Sequence, residues 1–186
     1  FGAPYTGDFQ FYSNKGHMLN NELSFTAGLP AGTSTLTMKA RWNIEEDYDY
    51  VQVRINDTVV AGNHTRASNP LNGFSNVTHY ITASSANITG AEGALGWLDL
   101  SFDLSSFQNQ TVTVKIVYVT DQAASEYGFV ADDISISNNA STIYSNSGES
   151  ESGYSLNGFS RIGATIDGDS HNYYAQLRSH QGTDAS

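Results

Sequence analysis

Cysteine is absent from this 186-residue sequence, so it holds neither a disulfide nor a thiolate metal site. A sandwich of this size does not need disulfides in the way smaller secreted scaffolds do. Proline is scarce, at 3 residues, which excludes a Pro-rich stalk or linker. Basic charge is scarce too: 8 Lys and Arg face 19 Asp and Glu, for a formal net charge of −11. A surface this acidic repels phosphate backbones and argues against nucleic acid as a partner. No apolar run approaches the roughly 18 residues of a membrane-spanning helix. Neither Met nor a signal peptide precedes Phe1, and we read the chain as a piece processed from a secreted precursor.

What is abundant points to strands. Aromatics reach 12%, with 11 Tyr and 9 Phe, while charged residues make up only 15%. Aromatic and β-branched residues fit a half-buried pleated surface. Period-two alternation follows. Leu36, Met38, Ala40 and Trp42 alternate with Thr35, Thr37, Lys39 and Arg41. Val51, Val53 and Ile55 form a second inward set, and Asn56-Asp57 predicts a hairpin return into Val59-Val60. Further strands are expected around Leu98–Phe102, Val112–Val119 and Phe129–Ile136. The span 62–96, rich in Gly, Asn, Ser and Thr, reads as long loops with one or two short edge strands. Six Asn-X-Ser/Thr sequons, beginning at Asn56, Asn63, Asn76, Asn87, Asn109 and Asn139, leave glycosylation open. The strand pattern breaks near Asn138, and Ser145–Gly153 reads as a linker or exposed loop. The expected division is a β-sandwich over 1–139. Residues 140–186 are then a linker and the start of a following domain, incomplete and packed on the sandwich.

The chemistry-bearing residues do not assemble a catalytic site. His17, His64, His79, His171 and His180 form no His-Glu-X-X-His pair, and no Gly-X-Ser-X-Gly elbow occurs. The carboxylates say more. Counting back from Ile55, Val53 and Val51, the inward set extends to Asp49, Asp47 and Glu45. If Ile134 and Ile136 face the core, alternation puts Asp132 and Val130 on that same face. Asp121, just beyond the Val112–Val119 strand, is positioned to join them. An ionised carboxylate pointing inward must be hydrogen-bonded or bind a cation. Glu45, Asp49, Asp121 and Asp132 are therefore candidate ligands for a structural calcium ion, which takes six to eight hard oxygens. The alternative is that they cap loop amides or pair with Arg41 or Arg54.

These same segments resemble a known family. Ile44-Glu45-Glu46-Asp47-Tyr48-Asp49-Tyr50-Val51 resembles a strand of the MAM-type domain of meprins and receptor phosphatases. The version it is most similar to occurs in secreted immune inhibitor A metalloproteases. Tyr118-Val119-Thr120-Asp121, with Gly128-Phe129-Val130-Ala131-Asp132-Asp133-Ile134, resembles the close of that domain. Phe11-Tyr12-Ser13-Asn14-Lys15-Gly16 resembles its start, with His17 where the family often carries an acidic residue. Leu156–Arg161 and His171–Asp184 look like the beginning of the domain that follows.

The resemblance implies a MAM-like, two-sheet antiparallel jelly-roll sandwich, secretion and calcium dependence. It also implies a zinc protease domain elsewhere in the parent, whose zinc ligands are not in these residues. The chain is then a non-catalytic accessory domain serving stability, substrate docking or adhesion. Such proteases are processed at several places, so a proteolytic fragment still bound to its catalytic domain is expected. Host or matrix proteins and glycans are further candidate partners. The competing reading is a carbohydrate-binding module, with Tyr5, Tyr12, Tyr48, Tyr50 and Trp97 as an aromatic platform. A third, autonomous catalysis, has no supporting motif.

Overall fold

The computed structural model describes residues 1–68 and 77–166. Six strands build the first sheet: β1 (Gln10–Tyr12), β3 (Ser34–Asn43), β8 (Leu98–Asp103), β10 (Gly128–Asn138), β11 (Ser141–Asn146) and β13 (Ser160–Ile162). Their order is β13-β1-β10-β3-β8, with β11 also paired to β10. The second sheet runs β12-β2-β9-β4-β5, from β2 (Asn20–Leu29), β4 (Tyr50–Ile55), β5 (Thr58–Val59), β9 (Gln110–Val119) and β12 (Ser155–Asn157). A small ribbon pairs β6 (Arg66–Ser68) with β7 (Thr78–Tyr80). All the named strand pairings are antiparallel, and the two large sheets pack face to face as a jelly-roll sandwich. The only helical elements among the described residues are short 3-10 turns at Ser85–Asn87 and Ser105–Phe107.

Alternation places the core. Leu36, Met38, Ala40 and Trp42 of β3 meet Val51, Val53 and Ile55 of β4 and Val112, Val114, Ile116 and Tyr118 of β9 in one buried cluster. Each such large apolar side chain stabilises the fold by roughly 1.5–3 kcal/mol. The Asn56-Asp57 hairpin forms as the sequence predicts. Both residues have positive φ, at 48° and 65°, as a two-residue type I′ turn requires.

Alternation fails within β10, and the failure matters for the site. Between Asp132 and Ser135 the register of β10 against β3 shifts, and Asp133 takes φ 47°. This bulge inverts the parity of the strand. Phe129 and Ala131 therefore share the inter-sheet core with Ile134 and Ile136. Val130 instead packs with Tyr12 and Trp97 in a separate cluster. Asp132 belongs with Val130 on that outer face, where residues 1–9 lie across it. The expectation that Asp132 points inward with Ile134 is corrected by the bulge.

The expected boundary after residue 139 falls in the turn of the β10–β11 hairpin. Beyond it, β11 pairs with β10, β12 with β2 and β13 with β1, so residues 141–162 close edges of both sheets. The His171–Asp184 stretch lies outside the described residues, so a following domain is not addressed by the fold.

Candidate metal centre

Three of the four expected ligands converge. Glu45 follows β3 of the first sheet, Asp49 precedes β4 of the second, and Asp121 follows β9 of the second. One carboxylate oxygen from each lies within 4.8 Å of the others. They are placed to hold a metal ion. The approach depends on a turn, not on extended alternation: Asp47 adopts φ 64°, and the Tyr48 and Asp49 amides donate to the Glu45 carbonyl at 3.4 and 3.1 Å. Thr82 locks this turn, its hydroxyl donating to the carbonyls of Glu45 and Asp49 at 3.2 and 2.9 Å. Asp47 faces away and accepts from Arg66 at 2.7 Å and from the Tyr80 hydroxyl at 2.9 Å.

The triad is under-satisfied. The Asp121 amide donates to Asp49 Oδ1 at 2.9 Å, and the Ala123 amide donates to Asp121 Oδ1 at 2.7 Å. Asp49 Oδ2 and Glu45 Oε2 are buried with no hydrogen-bond partner, and so is the Tyr118 hydroxyl. Loop-amide capping therefore accounts for part of the cluster and leaves two carboxylate oxygens over. Pairing with arginine does not account for them either. Arg54 donates to the Gln52 amide oxygen at 2.8 Å, and Arg41 donates to that of Gln10 at 3.3 Å.

The charges agree with this picture. Burial pushes the Asp49 carboxyl up to about 6; the Asp121 and Glu45 carboxylates add to the rise, while the Asp121 amide and the charge of His17 oppose it. Burial likewise raises the Tyr118 hydroxyl, with the Asp49 charge contributing. Like charges held together in a desolvated place are costly unless a cation joins them. A donor set of carboxylates alone suits a hard cation such as calcium. It does not suit a structural zinc, which favours Cys and His.

Asp132 stands apart from the triad. Its Oδ2 accepts the amides of Tyr5 at 2.8 Å and Thr6 at 3.0 Å, and its Oδ1 accepts that of Asp133 at 2.7 Å. It anchors the N-terminal segment over the first sheet, and burial raises its carboxyl to about 6. The proposed aromatic platform does not assemble on one surface. Tyr12 and Trp97 are 4% and 5% exposed, whereas Tyr5 and Tyr48 are 37% and 47% exposed. Tyr50 packs edge-on against Tyr80.

The family model described as "Immune inhibitor A-like, MAM domain" matches residues 2–164. This chain belongs to that family. The pre-pro-metalloprotease PrtV of Vibrio cholerae serotype O1 is 35% identical over 182 residues, covering 97% of this chain and 18% of the relative. Immune inhibitor A of Bacillus thuringiensis subsp. alesti is 26% identical over 186 residues, covering 98% of this chain and 25% of the relative. The chain thus spans a quarter or less of the length of these curated relatives.

Two features of this MAM-type domain had only faint signals in the sequence. Tyr118 continues the inward set of Val112, Val114 and Ile116, and its buried hydroxyl lies close enough to feel the Asp49 charge. His17 is exposed and close enough for its charge to act on Asp49.

Proposed function

We propose that this chain is a non-catalytic accessory domain of a secreted, calcium-dependent zinc metalloprotease, and that Glu45, Asp49 and Asp121 bind its calcium. The observation that carries the reading is the pair of buried, unpartnered oxygens, Glu45 Oε2 and Asp49 Oδ2, within a three-carboxylate cluster. A divalent cation there neutralises charge that the fold otherwise leaves uncompensated. It also ties the β3–β4 turn to the end of β9, and so joins the first sheet to the second. Its role is structural. The names of the relatives, a pre-pro-metalloprotease and an immune inhibitor, support secretion and a protease parent. The zinc belongs to that parent's catalytic domain, the first expected partner of this module, and no group here acts on it. Substrate docking or adhesion to a host or matrix protein remains within the same reading.

The test uses the full-length parent carrying Asp49→Asn. An accessory, stabilising role predicts unchanged kcat on a small peptide and a shorter lifetime against self-digestion in calcium. A fall in kcat with unchanged lifetime contradicts it.

A further inference from the structure

Arg41 poses a problem that the calcium reading does not touch. It lies on β3 with only 2% of its surface exposed. In this acid-rich chain four other cations find carboxylates: Lys39 meets Glu92 and Asp99, Arg66 meets Glu46 and Asp47, Lys115 meets Glu22 and Asp57, and Arg161 meets Glu151. Arg41 is more deeply buried than any of these and meets none among the described residues. Its partners are neutral. Nη2 donates to Gln10 Oε1 at 3.3 Å, and Nε has no partner. The rings of Phe1, Trp97 and Tyr127 surround the guanidinium, with centroids at 4.7, 5.1 and 5.5 Å. Ring faces attract a cation and ease its burial, but they do not neutralise its charge.

Beside this group is a cavity of about 530 Å³, lined by Arg41 with Phe1, Asn43, Ala94, Leu95 and Tyr127 among others. Its walls are largely apolar and aromatic. Phe1 is 40% exposed and Ala94 is exposed, so the mouth opens to solvent. A concave apolar pocket with one convergent charged group is the usual form of a small-ligand site. A planar guanidinium recognises a carboxylate with two parallel hydrogen bonds, and aromatic walls accept a ring or alkyl group alongside. We propose that this cavity binds a carboxylate carried on an aromatic or apolar body, with Arg41 as the anion-recognising residue. The site is separate from the acidic triad and does not depend on calcium.

The full chain, isotopically labelled, is titrated with phenylacetate while the Arg41 side-chain and Trp97 indole resonances are followed. Saturable shifts are expected, with a Kd on the order of 1 mM or below. Phenylacetamide, the same shape without charge, should bind roughly tenfold or more weakly, because a hydrogen bond to a charged group is the stronger kind. N-acetyl-L-phenylalanine serves as the third arm. Tighter binding than phenylacetate assigns a peptide C-terminus, and weaker binding assigns a free acid. Ala94→Phe fills the mouth from an exposed position and should weaken phenylacetate at least tenfold without touching Arg41. Arg41→Lys should weaken it by a similar factor, since Lys keeps the charge and loses the fork. Equal binding of acid and amide, no saturable shift, or full binding by folded Ala94→Phe would each overturn the proposal.

Discussion

Neutralising Asp49 should have opposite consequences with and without calcium. In the calcium-free protein Asp49 is fully buried and its carboxyl is held at about 6, against an ordinary 3.8. That displacement corresponds to on the order of 3 kcal/mol of cost at pH 7.5, where the group is ionised. Asp49→Asn removes the charge and keeps an oxygen for the Asp121 amide. Its new N–H₂ can donate to the unpartnered Glu45 Oε2. The variant should therefore be more stable than wild type in chelator, by about 1–3 kcal/mol. A change of 1 kcal/mol moves Tm by roughly 2–4 °C in a chain of this size, so the gain is roughly 2–12 °C. Calcium at a hundred times its Kd then adds about 2.7 kcal/mol to wild type, because it binds only the folded form. The variant, short of one charged ligand, should gain less than about a third of that. The assay is thermal unfolding by circular dichroism in chelator and in millimolar calcium. If Asp49→Asn loses the same stability in both buffers, the carboxylate has an ordinary structural role and the reasoning fails.

Asp132→Ala strips three backbone amides of their acceptor. We expect a loss of about 2–4 kcal/mol, since bonds to a charged group are worth about 1.5–3 kcal/mol each and act here in concert. Faster amide exchange at Tyr5 and Thr6 should accompany that loss, with the calcium response retained. Without calcium, stability should fall as pH rises from about 4 through 6. Asp49 and Asp132 have folded pKa values raised to about 6, so the stability they contribute is complete below the unfolded value and lost above the folded one. Asp57 and Asp103, held below the usual range by the Lys115 ammonium and the Ser105 hydroxyl respectively, act oppositely below about pH 4. Urea midpoints across pH 3–8 in chelator should thus peak near pH 4, and a maximum at pH 7–8 would contradict both assignments. Gly128→Ala should cost about 3 kcal/mol or more by denaturant unfolding: φ is +93°, and a Cβ there would stand 2.6 Å from Ser13 Oγ and 2.7 Å from the Asn14 carbonyl.

The strands were legible because each buries one face. In β3, β4 and β9 the apolar residues fall on alternate positions, and the observed registers keep them together in the core. Alternation lost its meaning at two places where backbone torsions change sign. At Asp133 a positive φ adds a residue to β10 and turns Asp132 outward, which no residue count can anticipate. At Asp47 a positive φ folds the chain back, so Glu45 reaches Asp49 through a turn closed by Thr82. The triad was legible in its members even though the route to it was not. Asp121 was placed by its position just past an inward strand, and Asp49 by genuine alternation from Val51. The Arg41 cavity left no sequence signal. In the β3 pattern Arg41 alternates with Ala40 and Trp42 like any solvent-facing residue. Phe1, Gln10, Trp97 and Tyr127, from distant parts of the chain, surround it.

Glu45, Asp49 and Asp121 are proposed as the calcium ligands of this domain. Calorimetric titration of the chelator-stripped chain with calcium tests this most directly, with wild type, Asp49→Asn and Asp132→Asn run side by side. One ion per chain is expected in wild type, with affinity reduced roughly a hundredfold or more in Asp49→Asn and near wild-type affinity in Asp132→Asn. Absence of binding to the folded wild-type chain, or binding that survives in Asp49→Asn and disappears in Asp132→Asn, would contradict the assignment.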